Sequence, residues 1–203
     1  MKIKHLTSVL IVVILCFSFT GCSTVKDLIS FGKEIKETAI QENAYRKMNK
    51  EELLSLDNSE LAYAVFIRTN FKTMLAESPE EAIKMLNEKE QVFYAVNEYL
   101  MEIENGGLCQ FFANSSSFFA STISDYLDKI GATEHKLHYN SFIEINNINI
   151  NDLEKFKYIS EEQYTSLCLE YDFVEFEYIF DVELTPLDVF LGEYIRKNID
   201  YFI

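Results

Sequence analysis

The stretch Glu102–Phe119, EIENGGLCQFFANSSSFF, sets two adjacent glycines between two patterns of helical period. Upstream, Val92, Ala95, Val96, Tyr99 and Ile103 recur at the spacing of one helix face. A left-handed Gly106 would close that helix at low steric cost. Gly107 removes a second side chain and lets the next helix cross nearby. Asn105, Gln110 and Asn114 are placed to bond backbone groups freed at such a corner. Leu108, Phe111 and Phe112 supply apolar bulk, and Asn114–Ser117 offers caps for the next helix. Two readings stay open here: an amide-clamped corner, or a small pocket in which Gln110 and Asn114 grip a ligand.

Outward from this corner the helix signals are plain. Asn49 precedes KEELL with Glu52 at the third helical position, and Ser78–Glu81 and Ser160–Gln163 read as capping boxes. Pro79 and Pro186 sit where helices begin. A helix from about Phe118 to Ile130 would end at Gly131, and a last helix would bury Leu187, Leu191, Tyr194 and Ile195. Asn-rich residues 142–152 read as a loop. The expected fold class is all-α. One segment resists: Val174–Leu184, VEFEYIFDVEL, alternates apolar and acidic residues almost strictly, which is strand period. A lone strand is not stable, and a helix turning Phe173, Phe176 and Phe180 inward competes with it.

With 203 residues, 48% of them hydrophobic, the chain holds one domain plus a leader. Its formal charge of -15 argues against nucleic acid as a partner and allows a basic protein surface or a cation. Leu6–Phe19 is a run of 14 uncharged residues behind a basic start, short for a spanning helix and of secretory-signal size. Phe19-Thr20-Gly21-Cys22 resembles the lipobox of bacterial lipoproteins, although Phe19 replaces the usual Leu. That likeness implies cleavage of residues 1–21, a diacylglycerol on Cys22, and a domain held outside the cytoplasmic membrane. Loss of two lysines would leave 16 bases against 33 acids, net -17. The expected layout is a signal over 1–21, a membrane-proximal helix or tether over 22–48, and a helical domain over 49–203. Val25, Leu28, Ile29, Ile35 and Ala39 would share one face of the tether. Cys109 and Cys168 remain in the domain, as buried thiols or as one disulfide.

The central motif also resembles the DNA-mimic protein domain family. The carrying residues are Asn105, Gly106, Gly107, Gln110, Phe111, Phe112, Asn114 and Ser115, then Gly131-Ala132 and the ending Glu193–Phe202, EYIRKNIDYF. The likeness covers roughly residues 60–203. It implies an all-helical fold, and in the family's namesake an acidic surface that occupies the DNA-binding site of a transcription factor.

Catalytic chemistry does not announce itself. No glycine-rich phosphate loop precedes a helix. His135 and His138 stand beside Glu134, too few ligands for zinc, and read as surface residues. Ser115–Ser117 have no histidine near in sequence, and Cys109 has no cationic neighbour to lower its pKa. The expectation is a non-enzymatic binding module without cofactor or metal, a mimic or immunity-type inhibitor of a basic protein; the alternative is a structural envelope lipoprotein without a discrete ligand. Charge pattern is the stronger lead. Between Tyr158 and Ile195 there are ten acids and no Lys or Arg. Glu170, Asp172, Glu175, Glu177, Asp181 and Glu183 form the expected partner face. Carboxylates three or four residues apart on a helix approach the spacing of phosphates along a DNA strand.

Overall fold

The computed structural model describes residues 25–157, 160–171 and 173–203, without the side chains of 25–32, 34, 35, 161 and 168. The signal segment, Cys22 and Asp172 lie outside the described residues, as does the Cys168 side chain. Two compact units divide at Ala44 and Tyr45. Helix α1 is Val25–Lys47, and on it Ala39 and Ile40 are exposed.

The second unit is wholly helical among the described residues. Asn49 caps α2 (Lys50–Ser55) with a closed capping box, and Asp57 caps α3 (Asn58–Thr73). Ser78 caps α4 (Pro79–Lys84) by accepting from the Glu81 N–H. Glu81 itself reaches Glu77 N at 3.0 Å, so the expected reciprocal box is displaced by one residue. Asn87 caps α5 (Glu88–Ala113), two helical segments that meet at the glycines, where the corner is expected. It bends there, because Gly106 and Gly107 leave helical geometry.

A 3-10 turn, Ser115–Phe119, leads into α6 (Ile123–Ile130), which Gly131 closes at φ 88° as expected. Helix α7 runs Thr133–Ile145, so the supposed loop over 142–152 begins as helix. Ile148 and Leu153 from that segment are buried. Then come α8 (Glu161–Glu170), α9 (Phe173–Tyr178) and α10 (Leu187–Lys197).

The alternating segment is not a strand. Helix α9 passes into a π-helical turn, Ile179–Glu183, closed by Leu184 N donating to the Ile179 carbonyl at 3.1 Å. With no neighbouring strand to take its backbone bonds, the segment satisfies them internally. Three phenylalanines settle its rotation: Phe173, Phe176 and Phe180 are 2%, 2% and 6% exposed.

The core gathers round α5. Tyr99 meets Phe111 edge-on at 5.0 Å across the bend, and Phe112 reaches Phe156 at 5.0 Å. Helices α3 and α10 close against each other at Gly192, where a Cβ would lie 2.6 Å from the Asn58 Cα. Two arginines tie segments distant in sequence through carbonyls. Arg68 bonds Tyr45 O at 3.1 Å and Phe202 O at 2.8 Å, while Arg196 bonds Leu54 O at 2.8 Å.

Candidate functional site

At the bend, the left-handed residue is Gly107, not Gly106. Gly107 sits at φ 76°, ψ -177°, a region essentially restricted to glycine. Gly106, at φ -163°, is extended and needs to be small for another reason. Gln110 folds back over it, and a Cβ there would come within 2.7 Å of the Gln110 amide carbon. A Cβ on Gly107 would meet the Glu177 carboxyl carbon at 2.6 Å. The two glycines therefore admit two polar side chains, Gln110 from the same helix and Glu177 from α9.

The amides do not serve the freed backbone as expected. They converge on one carboxylate instead. Gln110 Nε2 donates to Glu102 Oε2 at 2.6 Å, Asn114 Nδ2 to the same oxygen at 2.8 Å, and Ser116 Oγ to Oε1 at 3.0 Å. Charge-assisted bonds of this kind are stronger than neutral ones. The Gly106 carbonyl is met from α8, by Tyr164 Oη donating at 3.1 Å. Asn114 heads the 3-10 turn without a side-chain capping bond, and Ser115 is exposed. Phe111 and Phe112 are buried and Asn105 is exposed. Glu102 was absent from the sequence-level motif, and only the contacts reveal it as the hub.

More acids gather beside this hub. Burial, then the nearby Glu102 charge, raises the Glu98 pKa. Glu104 is raised by burial, then by Asp188 and Asp181, and Glu177 by burial, then by Asp181. Glu98 thus pairs with Glu102 along α5, while Glu104 gathers with Asp188, Asp181 and Glu177 from the segment 177–188. An open cleft of about 490 Å³ is lined by Glu98, Met101, Glu102, Glu104, Asn105, Gln110 and Asn114. Glu104 also borders depressions of about 310 and 210 Å³, both shared with Asp188. The three therefore join into one groove. Ser59 Oγ donates to Asp188 Oδ2, while Oδ1 finds no protein partner.

None of the six ion pairs among the described residues uses these acids. Of the expected face, Asp181 lines the groove, and Glu177 packs over Gly107 beside it. Glu170, Glu175 and Glu183 are exposed. Glu98 and Glu104 escaped the sequence reading because it followed the base-free stretch and not the helix opposite.

The histidines are not surface residues. His135 is buried, and His138 stacks on Phe176 with ring centres 4.2 Å apart. Their Nε2 atoms lie 2.8 Å from Thr185 O and 2.9 Å from Phe176 O. A carbonyl can only accept, so Nε2 carries the proton in each. Both rings thus pin the segment that bears Glu177, Asp181 and Asp188. Burial, the largest influence, lowers the His135 pKa. No group of metal-ligating side chains occurs among the described residues. No helix among them is long and apolar enough to cross a membrane.

A bent helix, its amide-bound glutamate and an acidic groove make a site suited to cations. The family model described as DMP19-like protein matches residues 84–198. The chain belongs to the DMP19-like family. This is a DNA-mimic-type family, and its matched region runs from the end of α4 to just past α10, enclosing the bend and groove. Neither the curated proteins nor the solved structures contain a match to this chain beside the DMP19-like model.

Proposed function

We propose that this chain is a non-enzymatic binding module whose acidic groove and adjoining face engage a basic protein surface. The observation that carries it is the gathering of Glu104 with Asp188, Asp181 and Glu177 next to the Glu98–Glu102 pair, free of any Lys or Arg ion pair among the described residues. Like charges held together in partial burial are unfavourable alone and favour an incoming cation. Membership of a DNA-mimic-type family supports the same reading. No cofactor enters this function.

The test is affinity capture with the full chain, then association rates against salt. Glu104→Gln, Glu177→Gln and Asp181→Asn together should slow association about tenfold at low salt, and the gap should close as screening shortens toward about 3 Å at 1 M. Equal rates and a flat salt response would overturn the reading.

We further propose that the module is lipid-anchored through Cys22 on the outer side of the cytoplasmic membrane of a bacterium. The support is the sequence alone, a 14-residue apolar run leading into FTGC. Mass spectrometry of native protein should find residues 1–21 absent and Cys22 modified. An intact Met1 would end that proposal.

The open cleft of about 490 Å³ favours a second reading, a small organic cation seated beside Glu98 and Glu102. Calorimetric titration with a polyamine at physiological salt separates the two. Saturable heat lost in Glu98→Gln would support the small cation.

A further inference from the structure

Helix α9 and its π-turn split their apolar residues between two sides. Phe173, Phe176 and Phe180 enter the core, while Val174, Tyr178 and Val182 stand outward at 76%, 57% and 63% exposure. Single exposed apolar residues are ordinary and need no explanation. These three recur at intervals of four, so they line one side of the turn as a continuous strip. Acids border it. By helical spacing Glu177 and Asp181 run along one edge and Glu175 along the other. The edge with Glu177 and Asp181 is the one that faces Gly107 and Glu104.

We infer that this strip seats an amphipathic basic helix of a partner protein. The inference rests on the basic-partner reading and narrows it. Charge excludes the other occupants. A second copy, at net -15, would set the same acids against each other. An anionic lipid surface would be repelled in the same way. A partner surface shaped only for DNA phosphates would leave Val174, Tyr178 and Val182 without a counterpart. A helix with apolar residues at i and i+4, and Lys or Arg on both margins, matches strip and borders together.

Two synthetic helical peptides of equal charge test this on the full chain. One carries a leucine strip flanked by lysines, and in the other glutamine replaces each leucine. At about 0.15 M salt the leucine peptide should bind roughly tenfold or more tightly. The combined variant Val174→Ser, Tyr178→Ser, Val182→Ser should bring it down to the level of the glutamine peptide, with an unchanged melting curve because these side chains are exposed. Glu175→Gln, Glu177→Gln and Asp181→Asn should weaken both peptides. Equal affinity of the parent for the two peptides would overturn the inference and leave the basic-partner reading standing. A leucine preference that survives the serine variant would overturn it as well. If neither peptide binds, the basic-partner reading falls and the inference with it.

Discussion

Around α4 and the start of α5 the acids have partners. Lys84 holds Glu80 at 2.9 Å, Lys72 holds the buried Glu90, and Glu90 also caps its own helix by accepting from Asn87 N at 3.0 Å. Around the glycine bend of the same helix the acids face one another. Glu102 is met by two amides and a hydroxyl, and its neighbours Glu98 and Glu104 by other carboxylates. The difference is what each acid touches. An exposed ion pair such as Glu80–Lys84 contributes about 0–1 kcal/mol, so on the paired side the weight rests on the buried Glu90 with its lysine and its cap. The bend end accepts a standing repulsion, which a cationic partner would relieve. Net charge says nothing about this contrast, because it is a matter of placement.

The sharpest way to break the comparison is at Gly107, which lets the bend approach Glu177. Gly107→Ala combines glycine-only backbone geometry, about 1–3 kcal/mol, with collision against the Glu177 carboxylate. A loss near 3 kcal/mol should lower Tm by roughly 6–12 °C in a domain of this size. Gly131→Ala isolates the backbone effect, since Gly131 also has positive φ but nothing within 4 Å of a Cβ. It should cost only about 1–2 kcal/mol. If both variants melt alike, the Glu177 approach contributes nothing and the two flanks of the bend are not coupled through it.

Next in size is the hub. Glu102→Ala leaves the Gln110, Asn114 and Ser116 donors without their acceptor, about 1–3 kcal/mol with water filling part of the gap. Glu102→Gln keeps one oxygen and should recover part of that loss. On the paired side, Lys72→Met should cost about as much as Glu102→Ala, because it strips the cation from a buried carboxylate. Urea unfolding of the three variants ranks them. A Glu102→Ala variant as stable as the parent would mean the amides are held by packing alone.

Much of the architecture was legible in the sequence. The caps at Asn49 and Ser160, the buried face of α5 and the close of α6 at Gly131 all come from local rules, and local rules act within a turn of chain. What was not legible depends on contacts distant in sequence. Strict alternation over Val174–Leu184 suggested a strand, yet the aromatic core accepted Phe173, Phe176 and Phe180 from a helix, and no second strand existed to compete. The glycine pair marked the bend, but that Gly107 and not Gly106 takes positive φ, with Glu177 of α9 packed over it, involves a residue 70 positions away. The two histidines looked like surface residues because the carbonyls they reach, Thr185 and Phe176, lie 50 and 38 residues away. Glu98 and Glu104 looked like solvated helix acids for the same reason.

The smallest effect tests the repulsion itself. Glu98 and Glu104 have folded-state pKa values above the ordinary carboxylate value, chiefly through burial and then through neighbouring acids. A raised carboxylate pKa means that the folded state takes up a proton more readily than the unfolded chain. The penalty is therefore fully present above the raised value and disappears as pH falls below about 4.3, the unfolded value for glutamate. Amide replacement should remove the penalty where it exists. Glu98→Gln and Glu104→Gln should each raise Tm by about 1–3 °C at pH 7 and by nothing near pH 4. His135 works in the opposite sense, because its lowered pKa costs stability as pH falls through about 6.5. The parent's whole pH profile mixes both, so the difference between parent and variant is the quantity to read. Glu80→Gln on the paired side should instead lower Tm slightly at pH 7, because it loses Lys84. Opposite signs at the two ends would establish that the bend holds its acids at a cost, from burial first and from neighbouring acids second. Equal signs would mean that the acids of the bend are as well compensated as those paired with lysine.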